Sequence, residues 1–291
     1  MGRVRFSLRT WLHIIGGGLG LLGVVFVLMR LSTYSEQIDL ARFDAIAWLL
    51  ISMLAVIYGA ANVFLALAWW HLLSFFDVKV ERKWALKAYG LSQMAKYVPG
   101  NICHLAGRQA IGMAVGLPAR VLAKSALWEL GLIALSCVFF AILALPLLWS
   151  QLPGWLSFGI FLLALLAVSV LLRRLLSFSV CDALFWQIIY LAVSGMVFIG
   201  ILTVVVPSVA EIPGFSALCG AYVLAWLAGL VTPGAPAGVG VRELVLLFLL
   251  GGRIAEADLL LAVVLGRVVT VGGDLFYFIV ATFLKLRRVA Y

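Results

Sequence analysis

The chain has 291 residues, of which 65% are hydrophobic and only 11% are charged, and its mean hydropathy is +1.19. A soluble protein of this length could not bury so much apolar surface, so the composition predicts a polytopic membrane protein. The net charge of +9 comes from basic residues scattered in short clusters between apolar runs. That distribution is typical of residues that orient a membrane protein, and it argues against a nucleic-acid-binding surface.

The apolar runs predict six membrane spans. The first, at about 11–29, follows the arginine-rich segment MGRVRFSLRT. We interpret it as a retained span and not as a signal peptide, because no convincing small-residue cleavage site follows it. Five more stretches are long and apolar enough to cross a membrane. They lie at about 45–73, 125–147, 155–172, 183–206 and 258–284.

The stretch at about 84–118 is too polar for a lipid-facing span and too long and apolar for a loop. Pro99 and Gly100 lie near its centre, and Asn101 after them can cap a second helix. Proline removes a backbone donor, and glycine adds conformational freedom. Opened backbone is tolerated at membrane depth only where protein covers it or where it lines a watery cavity. We therefore predict a re-entrant hairpin of two half-helices.

A second interrupted stretch, at about 215–250, has the same character. Its centre contains TPGAPAGVGVRE, in which an Arg242–Glu243 pair follows the break directly. Charges at membrane depth are costly and by default indicate a functional site. We predict a second re-entrant hairpin. The residues expected to break it are Pro233, Gly234, Pro236, Gly238 and Gly240.

The positions of the basic residues support this layout. With six spans and two re-entrant hairpins, fourteen Lys and Arg residues fall on the cytoplasmic side and three fall outside. Four remain at membrane depth, namely Lys96, Arg108, Arg242 and Arg267. If either interrupted stretch crossed the membrane completely, several basic clusters would move outside. Both termini are therefore expected on the cytoplasmic side.

The order of elements repeats. Residues 1–150 predict span, span, hairpin and span, and residues 151–291 predict the same order entering from the opposite side. The expected fold is a single all-α membrane domain of six transmembrane helices and two re-entrant hairpins, arranged as two inverted-topology repeats. In such proteins the binding site lies at the repeat interface near the midplane, where helices are discontinuous.

Arg108 and Arg242 are the leading candidates for ligand contacts, since each lies nine residues after the first proline of its break. A guanidinium stays protonated and binds phosphate or carboxylate through a planar fork. Half-helix ends and glycine backbone add N–H donors. Together these groups suit an anionic lipid head group. The alternative is that each arginine snorkels to the interface or pairs with an acid.

The remaining charged residues allow two interpretations. Glu243 directly follows the second arginine, but adjacent residues do not share a helix face, so it is expected to serve another partner such as Arg267 or a helix N-terminus. Glu129 and Asp274 lie inside spans, with the bases Lys124 and Arg267 upstream of them. Both acids either form structural ion pairs with these bases or the hairpin arginines, or carry protons for coupled transport.

Residues flanking the first break are further candidates for ligand binding. Lys96 precedes the break, and Asn101 and His104 follow it. A lone histidine is more often a hydrogen-bonded bystander than a functional group. The four cysteines are isolated, and no nucleophile–base arrangement, H-E-x-x-H pattern or P-loop is present. We therefore expect no catalytic residue, metal ion or cofactor.

The stretches AKYVPGNICHLAGR (95–108) and TPGAPAGVGVRE (232–243) resemble the transmembrane region of lysylphosphatidylglycerol synthases and their stand-alone relatives. The order and separation of the two stretches also fit, so the resemblance covers essentially the whole chain. In the synthases this region is similar to a lipid flippase that moves aminoacylated phosphatidylglycerol between leaflets, and a soluble aminoacyl-transfer domain follows it. Because Tyr291 ends the chain just after the last span, the resemblance implies the translocator part without that chemistry.

The resemblance also implies the class of cargo, because stand-alone relatives are often associated with polysaccharide or glycolipid assembly. The leading hypothesis is a translocator in the bacterial inner membrane for an anionic phospholipid, a lipid-linked saccharide or a polyprenyl phosphate. One arginine from each hairpin would hold the head group. A second hypothesis is an integral-membrane transferase with Glu129, Glu243 or Asp274 as its base. A third is a non-transporting partner subunit of a glycosyltransferase or synthase.

Overall fold

A computed structural model describes residues 43–98, 103–206, 214–231 and 241–285. Within these ranges 87% of the residues are helical and none forms a strand, which confirms the all-helical prediction. The helices are α1 (Ala45–Phe75), α2 (Arg82–Gln93), α3 (Cys103–Ala114), α4 (Ala119–Leu148), α5 (Gly154–Leu175), α6 (Phe178–Val205), α7 (Phe215–Val231), α8 (Val241–Leu250) and α9 (Glu256–Phe283).

Five of these helices, α1, α4, α5, α6 and α9, are long and apolar enough to cross a membrane. An α-helix rises 1.5 Å per residue, so about 20 residues span the hydrocarbon core. The five helices coincide with the five predicted spans that lie within the described residues. The predicted first span at about 11–29 lies outside them. The prediction of a multi-pass membrane protein is supported.

Local sequence signals explain where several helices begin. The side chain of Asp44 accepts a hydrogen bond from the backbone N–H of Ala47 at 2.8 Å and so caps α1. Ser177 caps α6 in the same way through the N–H of Val180. Pro118 and Pro153 precede α4 and α5 in extended conformations. Asp44 and Ser177 thus each satisfy a backbone N–H that has no partner within the first turn of the helix. Pro118 and Pro153 disfavour a helical conformation in the residue before them, so each helix begins after its proline.

Two helices flank each predicted break. Helix α2 continues into a short 3-10 helix, Met94–Tyr97, and α3 begins at Cys103. Helices α7 and α8 lie on either side of the second break. Within each pair the two helices pack against each other. The break residues themselves lie outside the described residues, namely Pro99, Gly100, Asn101, Pro233, Gly234, Pro236, Gly238 and Gly240.

The spans pack closely where small residues face each other. Helix α1 packs mainly against α6 and α9, and α4 packs mainly against α7. A Cβ atom on Gly59 would lie 2.5 Å from the carbonyl oxygen of Gly273, so the backbones of α1 and α9 touch at this crossing. A Cβ atom on Gly220 would lie 2.6 Å from the carbonyl oxygen of Phe140, which brings α7 equally close to α4. Such contacts are the usual way in which membrane helices gain packing energy.

The outer surface of the bundle is apolar. Large hydrophobic side chains such as Trp155, Leu163 and Phe248 are mostly exposed. The arrangement places apolar groups toward lipid, while the buried polar groups collect inside the bundle.

Candidate functional site

A cavity lies between the helices, and every described helix except α5 contributes to its wall. It holds about 740 Å³ of space free of protein atoms, counting the part that opens to the outside. Both broken helix pairs reach it, the first through α2, the 3-10 helix and α3, and the second through α7 and α8. Residues from both helix pairs therefore meet at one cavity.

Aromatic side chains form much of the wall. Tyr58 of α1 and Tyr190 of α6 meet through their hydroxyl groups, which lie 2.8 Å apart. Tyr89, Tyr97 and Trp226 add further rings. Aromatic rings combine apolar bodies with polar tips, so they can surround a head group and still tolerate a polar interior.

Arg108 lies behind this wall, where it is paired with an acid, and is only 2% exposed. Its guanidinium forms a two-pronged ion pair with Glu129, in which Nη1 donates to Oε1 at 3.1 Å and Nη2 donates to Oε2. The hydroxyl group of Tyr89 donates to the same carboxylate at 3.0 Å. The guanidinium also lies 4.8 Å from the ring centre of Trp69 and 4.5 Å from that of Tyr89. Such a paired, stacked arginine holds α3 against α4.

Lys96 is paired as well. Its ammonium group forms an ion pair with Asp274, which is completely buried on α9. Tyr97 donates a hydrogen bond to Oδ2 of this carboxylate, and Asn62 donates to Oδ1 at 3.1 Å. Gln93 in turn donates to Asn62 at 2.8 Å. Helix α2 and the 3-10 helix that follows it are thus tied to α1 and α9 through one satisfied polar network.

Arg242 differs from the other two bases. It lies at the start of α8, faces the cavity and is partly exposed. Its guanidinium carbon lies 6.0 Å from the ring centre of Trp226. Its Nε is buried and has no hydrogen-bond partner among the described residues. A buried charged donor without a partner is costly, so this position favours an acceptor supplied by a ligand.

His104 is the second incompletely satisfied group at the cavity. It lies in the first turn of α3 and lines the cavity wall. Its Nδ1 atom is buried and has no hydrogen-bond partner among the described residues. His104 and Arg242 therefore bring one unsatisfied polar atom each from the two broken helix pairs.

Of the cationic partners predicted for Glu129, the structure shows Arg108 and not Lys124. Lys124 is exposed, and its ammonium group lies 5.9 Å from the ring centre of Phe76. The five-residue separation explains this result, since helix neighbours lie three or four residues apart. Asp274 likewise takes its cation from another element, since Lys96 lies in the 3-10 helix after α2.

Arg267 is 5% exposed and lines the cavity from α9 together with Thr270. Glu243 lies on α8, but its side chain is outside the described part of the chain. Of the described residues, Lys96, Arg108, Arg242 and Arg267 lie on or directly behind the cavity wall, against the acids Glu129 and Asp274. Among these described residues, four are basic and two are acidic.

Sequence reasoning missed several polar residues of the site. Asn62, Gln93 and Gln187 are buried within helices, and Gln187 donates to the backbone oxygen of Glu129 at 3.3 Å. These residues could have been identified as polar side chains inside apolar stretches, because such side chains face the interior of a helix bundle. Within the described ranges, no group of three or more His, Cys, Asp and Glu side chains is placed to hold a metal ion.

A scan of the chain against protein-family models finds no match, and a search of the curated proteins finds none either.

Proposed function

We propose that the protein is a lipid translocator of the bacterial inner membrane, in which the cavity receives an anionic head group from one leaflet and releases it to the other. The observation that carries this proposal is Arg242, whose guanidinium faces an aromatic cavity and whose buried Nε has no hydrogen-bond partner in the described part of the chain. Basic side chains outnumber acidic ones among the described residues around the cavity, which favours the same class of ligand.

The charge of Arg242 favours an anionic ligand. A charge at membrane depth is stable when it is paired or hydrated. Arg108 and Lys96 have carboxylate partners, so they need no ligand. A phosphate group at Arg242 would accept two parallel hydrogen bonds from the guanidinium and would balance the remaining positive charge. The head group would then occupy the cavity while its tails stay in lipid.

The packing of the helices supports two inverted repeats. If α1, α2, α3 and α4 are exchanged with α6, α7, α8 and α9, each main contact between the halves has a counterpart. The contact between α2 and α9 corresponds to the contact between α7 and α4, and both are made through a glycine. Gly90 faces Ala281, and Gly220 faces Phe140 and Ala144. Inverted repeats allow one half to rock against the other around a central site.

The re-entrant hairpins and cytoplasmic termini belong to the same proposal, supported by the distribution of Lys and Arg residues. The resemblance of the two break motifs to the membrane region of lysylphosphatidylglycerol synthases supports a translocator. It also supports an anionic phospholipid, a lipid-linked saccharide or a polyprenyl phosphate as the cargo. Fold-level likeness alone does not specify a substrate, so the chemistry of Arg242 carries the assignment to anionic lipids.

The test uses vesicles that contain the purified protein and fluorescent anionic or zwitterionic lipids, whose outer-leaflet copies are bleached by an impermeant reductant. Movement is measured with and without an imposed proton gradient. We expect movement of anionic lipid, and a loss of roughly tenfold or more in Arg242→Gln, since hydrogen bonds to charged groups contribute about 1.5–3 kcal/mol. Lys124→Gln is the matched control, because Lys124 is exposed outside the cavity.

Other outcomes separate the remaining hypotheses. A covalently changed lipid, detected by mass spectrometry, would indicate a transferase and contradict the proposal. The structure gives that hypothesis less support, because Glu129 and Asp274 both accept hydrogen bonds from cationic groups and tyrosines. Unchanged lipids that do not move under any gradient would also contradict translocation and would favour a partner subunit.

A further inference from the structure

A second cavity lies directly behind Arg242. It holds about 290 Å³ of space free of protein atoms, counting the part that opens to the outside, and is formed by α6, α7, α8 and α9. Three residues line both cavities, namely Arg242, Arg267 and Thr270. The two cavities are therefore neighbouring chambers that share a boundary of two arginines and one hydroxyl group.

The second chamber has a different chemical character from the first. Beyond the shared residues, its lining is almost entirely apolar. Aromatic rings stack along one side, where Phe198 and Tyr222 lie 4.9 Å apart between ring centres. The other contributors are small or aliphatic, namely Ala225, Leu246, Val263 and Gly266. A chamber of this kind excludes a second charged group but accommodates hydrocarbon.

We propose that this chamber binds the apolar segment directly attached to the anionic group, so that the site recognises an amphiphile and not a free anion. The proposal rests on the proposed function and names the form of its substrate. The phosphate would lie at the shared arginines, the polar part of the head group in the first cavity, and the first carbons of the tail in the second. The small volume limits the bound hydrocarbon to a short stretch, with the rest of the tail in lipid.

The occupant follows from the shared boundary. A hydrocarbon chain gains little by moving from lipid into another apolar environment, because lipid tails are themselves apolar. A tail segment therefore enters the chamber when the charged group attached to it is held at the entrance. Arg242 and Arg267 stand at that entrance.

Gly266 allows the chamber to be filled without disturbing its walls. A Cβ atom there would lie 3.7 Å from Phe198 and 3.8 Å from Ile201, which are ordinary contact distances. Gly266→Ala should therefore be accommodated, whereas the longer side chain of Gly266→Leu should occupy the chamber. Ala225→Leu should fill the same space from α7. Gly131→Leu is the matched control, because a Cβ atom on Gly131 meets nothing within 4 Å.

The experiment uses the whole protein in lipid nanodiscs with a long-chain alkyl phosphate that carries a photoreactive diazirine near the phosphate. After illumination, cross-linked peptides are identified by mass spectrometry. We expect labels on the chamber residues Phe198, Leu246 and Val263, and a loss of roughly tenfold in this labelling in Gly266→Leu and Ala225→Leu. Gly266→Ala and Gly131→Leu should label as the wild type does. A probe with the diazirine at the far end of its tail should label the outer surface instead.

Absence of chamber labels in the wild type would overturn the inference, and so would equal labelling in the filled variants. Arg242→Gln should also remove the chamber labels. Labels that persist in this variant would indicate nonspecific insertion from the membrane and would overturn the inference. Failure of the proposed function is a separate result. Chamber labels without lipid movement in vesicles would contradict translocation and leave the amphiphile site standing. Full lipid movement by the wild type without chamber labels would do the reverse.

Discussion

The two broken helix pairs carry similar motifs and differ in what their basic residues contact. In the first pair, Lys96 and Arg108 are both neutralised by carboxylates from the spans α9 and α4. In the second pair, Arg242 faces the cavity and its Nε has no partner among the described residues. The position of an arginine nine residues after a Pro-Gly break therefore does not by itself establish its function. Whether a neighbouring span supplies an acid decides between a structural and a ligand-binding role.

The largest effect should come from breaking the Arg108–Glu129 pair. Arg108→Ala leaves a buried carboxylate without its cation, which is expected to destabilise the protein by about 3–5 kcal/mol. Thermal unfolding in detergent, followed by helical circular dichroism, measures the change. The double variant Arg108→Met with Glu129→Leu should recover much of the loss, since it removes both buried charges. A double variant no more stable than Arg108→Ala would contradict a role based on charge pairing.

A smaller loss is expected at Lys96. Lys96→Met removes the cation beside Asp274, but Asn62 and Tyr97 still donate hydrogen bonds to the carboxylate. We therefore expect a loss of about 1.5–3 kcal/mol, the contribution typical of one hydrogen bond to a charged group. The same unfolding measurement checks it. A loss larger than that of Arg108→Ala would reverse the predicted order of the two pairs.

The glycine contacts of both helix pairs should be sensitive to added volume. Gly90→Ala and Gly220→Ala each place a methyl group against the closing span of the other half, and overpacking of this kind costs about 1–3 kcal/mol. Gly220 meets the backbone of α4, whereas Gly90 meets the side chain of Ala281, so the Gly220 variant should lose more. Proteolysis of detergent-solubilised protein gives the order. Unchanged resistance in both variants would contradict the close packing between halves.

The smallest change in stability is expected at Arg242. Because no carboxylate is described beside it and its Nε lacks a partner among the described residues, Arg242→Gln should lower the free energy of unfolding by no more than about 0.5 kcal/mol. The same variant should lose binding of an anionic lipid. Unfolding and binding measured on one preparation therefore distinguish the structural role of the first helix pair from the ligand-binding role of the second. A stability loss as large as that of Arg108→Ala would show that both arginines serve the fold.

Much of the architecture could be predicted from the chain. The five described spans follow from long apolar runs, and the helix pairs around 99–102 and 232–240 follow from proline and glycine in otherwise helical stretches. These signals are local, so a single sequence contains them. The structure also shows that the helices extend a few residues beyond the apolar runs, as α4 does by starting at Ala119.

The partners of the charged residues could not be predicted in the same way. Lys124 precedes Glu129 in one helix, yet the carboxylate turns to Arg108 on another. Asp274 and Tyr97 are 177 residues apart in the chain and adjacent in the fold. Such pairs depend on how the helices pack, which hydropathy does not encode. Asn62 and Gln93 were missed because neither lies beside a break, although both join the network around Asp274.

The most direct test of the account is a structure of the protein with an anionic lipid bound. We predict lipid density in the cavity with a phosphate oxygen about 2.7–3.2 Å from the guanidinium of Arg242. Arg108 should remain paired with Glu129, and Lys96 with Asp274. A phosphate held by Arg108, with Glu129 released from the pair, would contradict the central claim that Arg242 of the second helix pair binds the ligand while the first pair supports the fold.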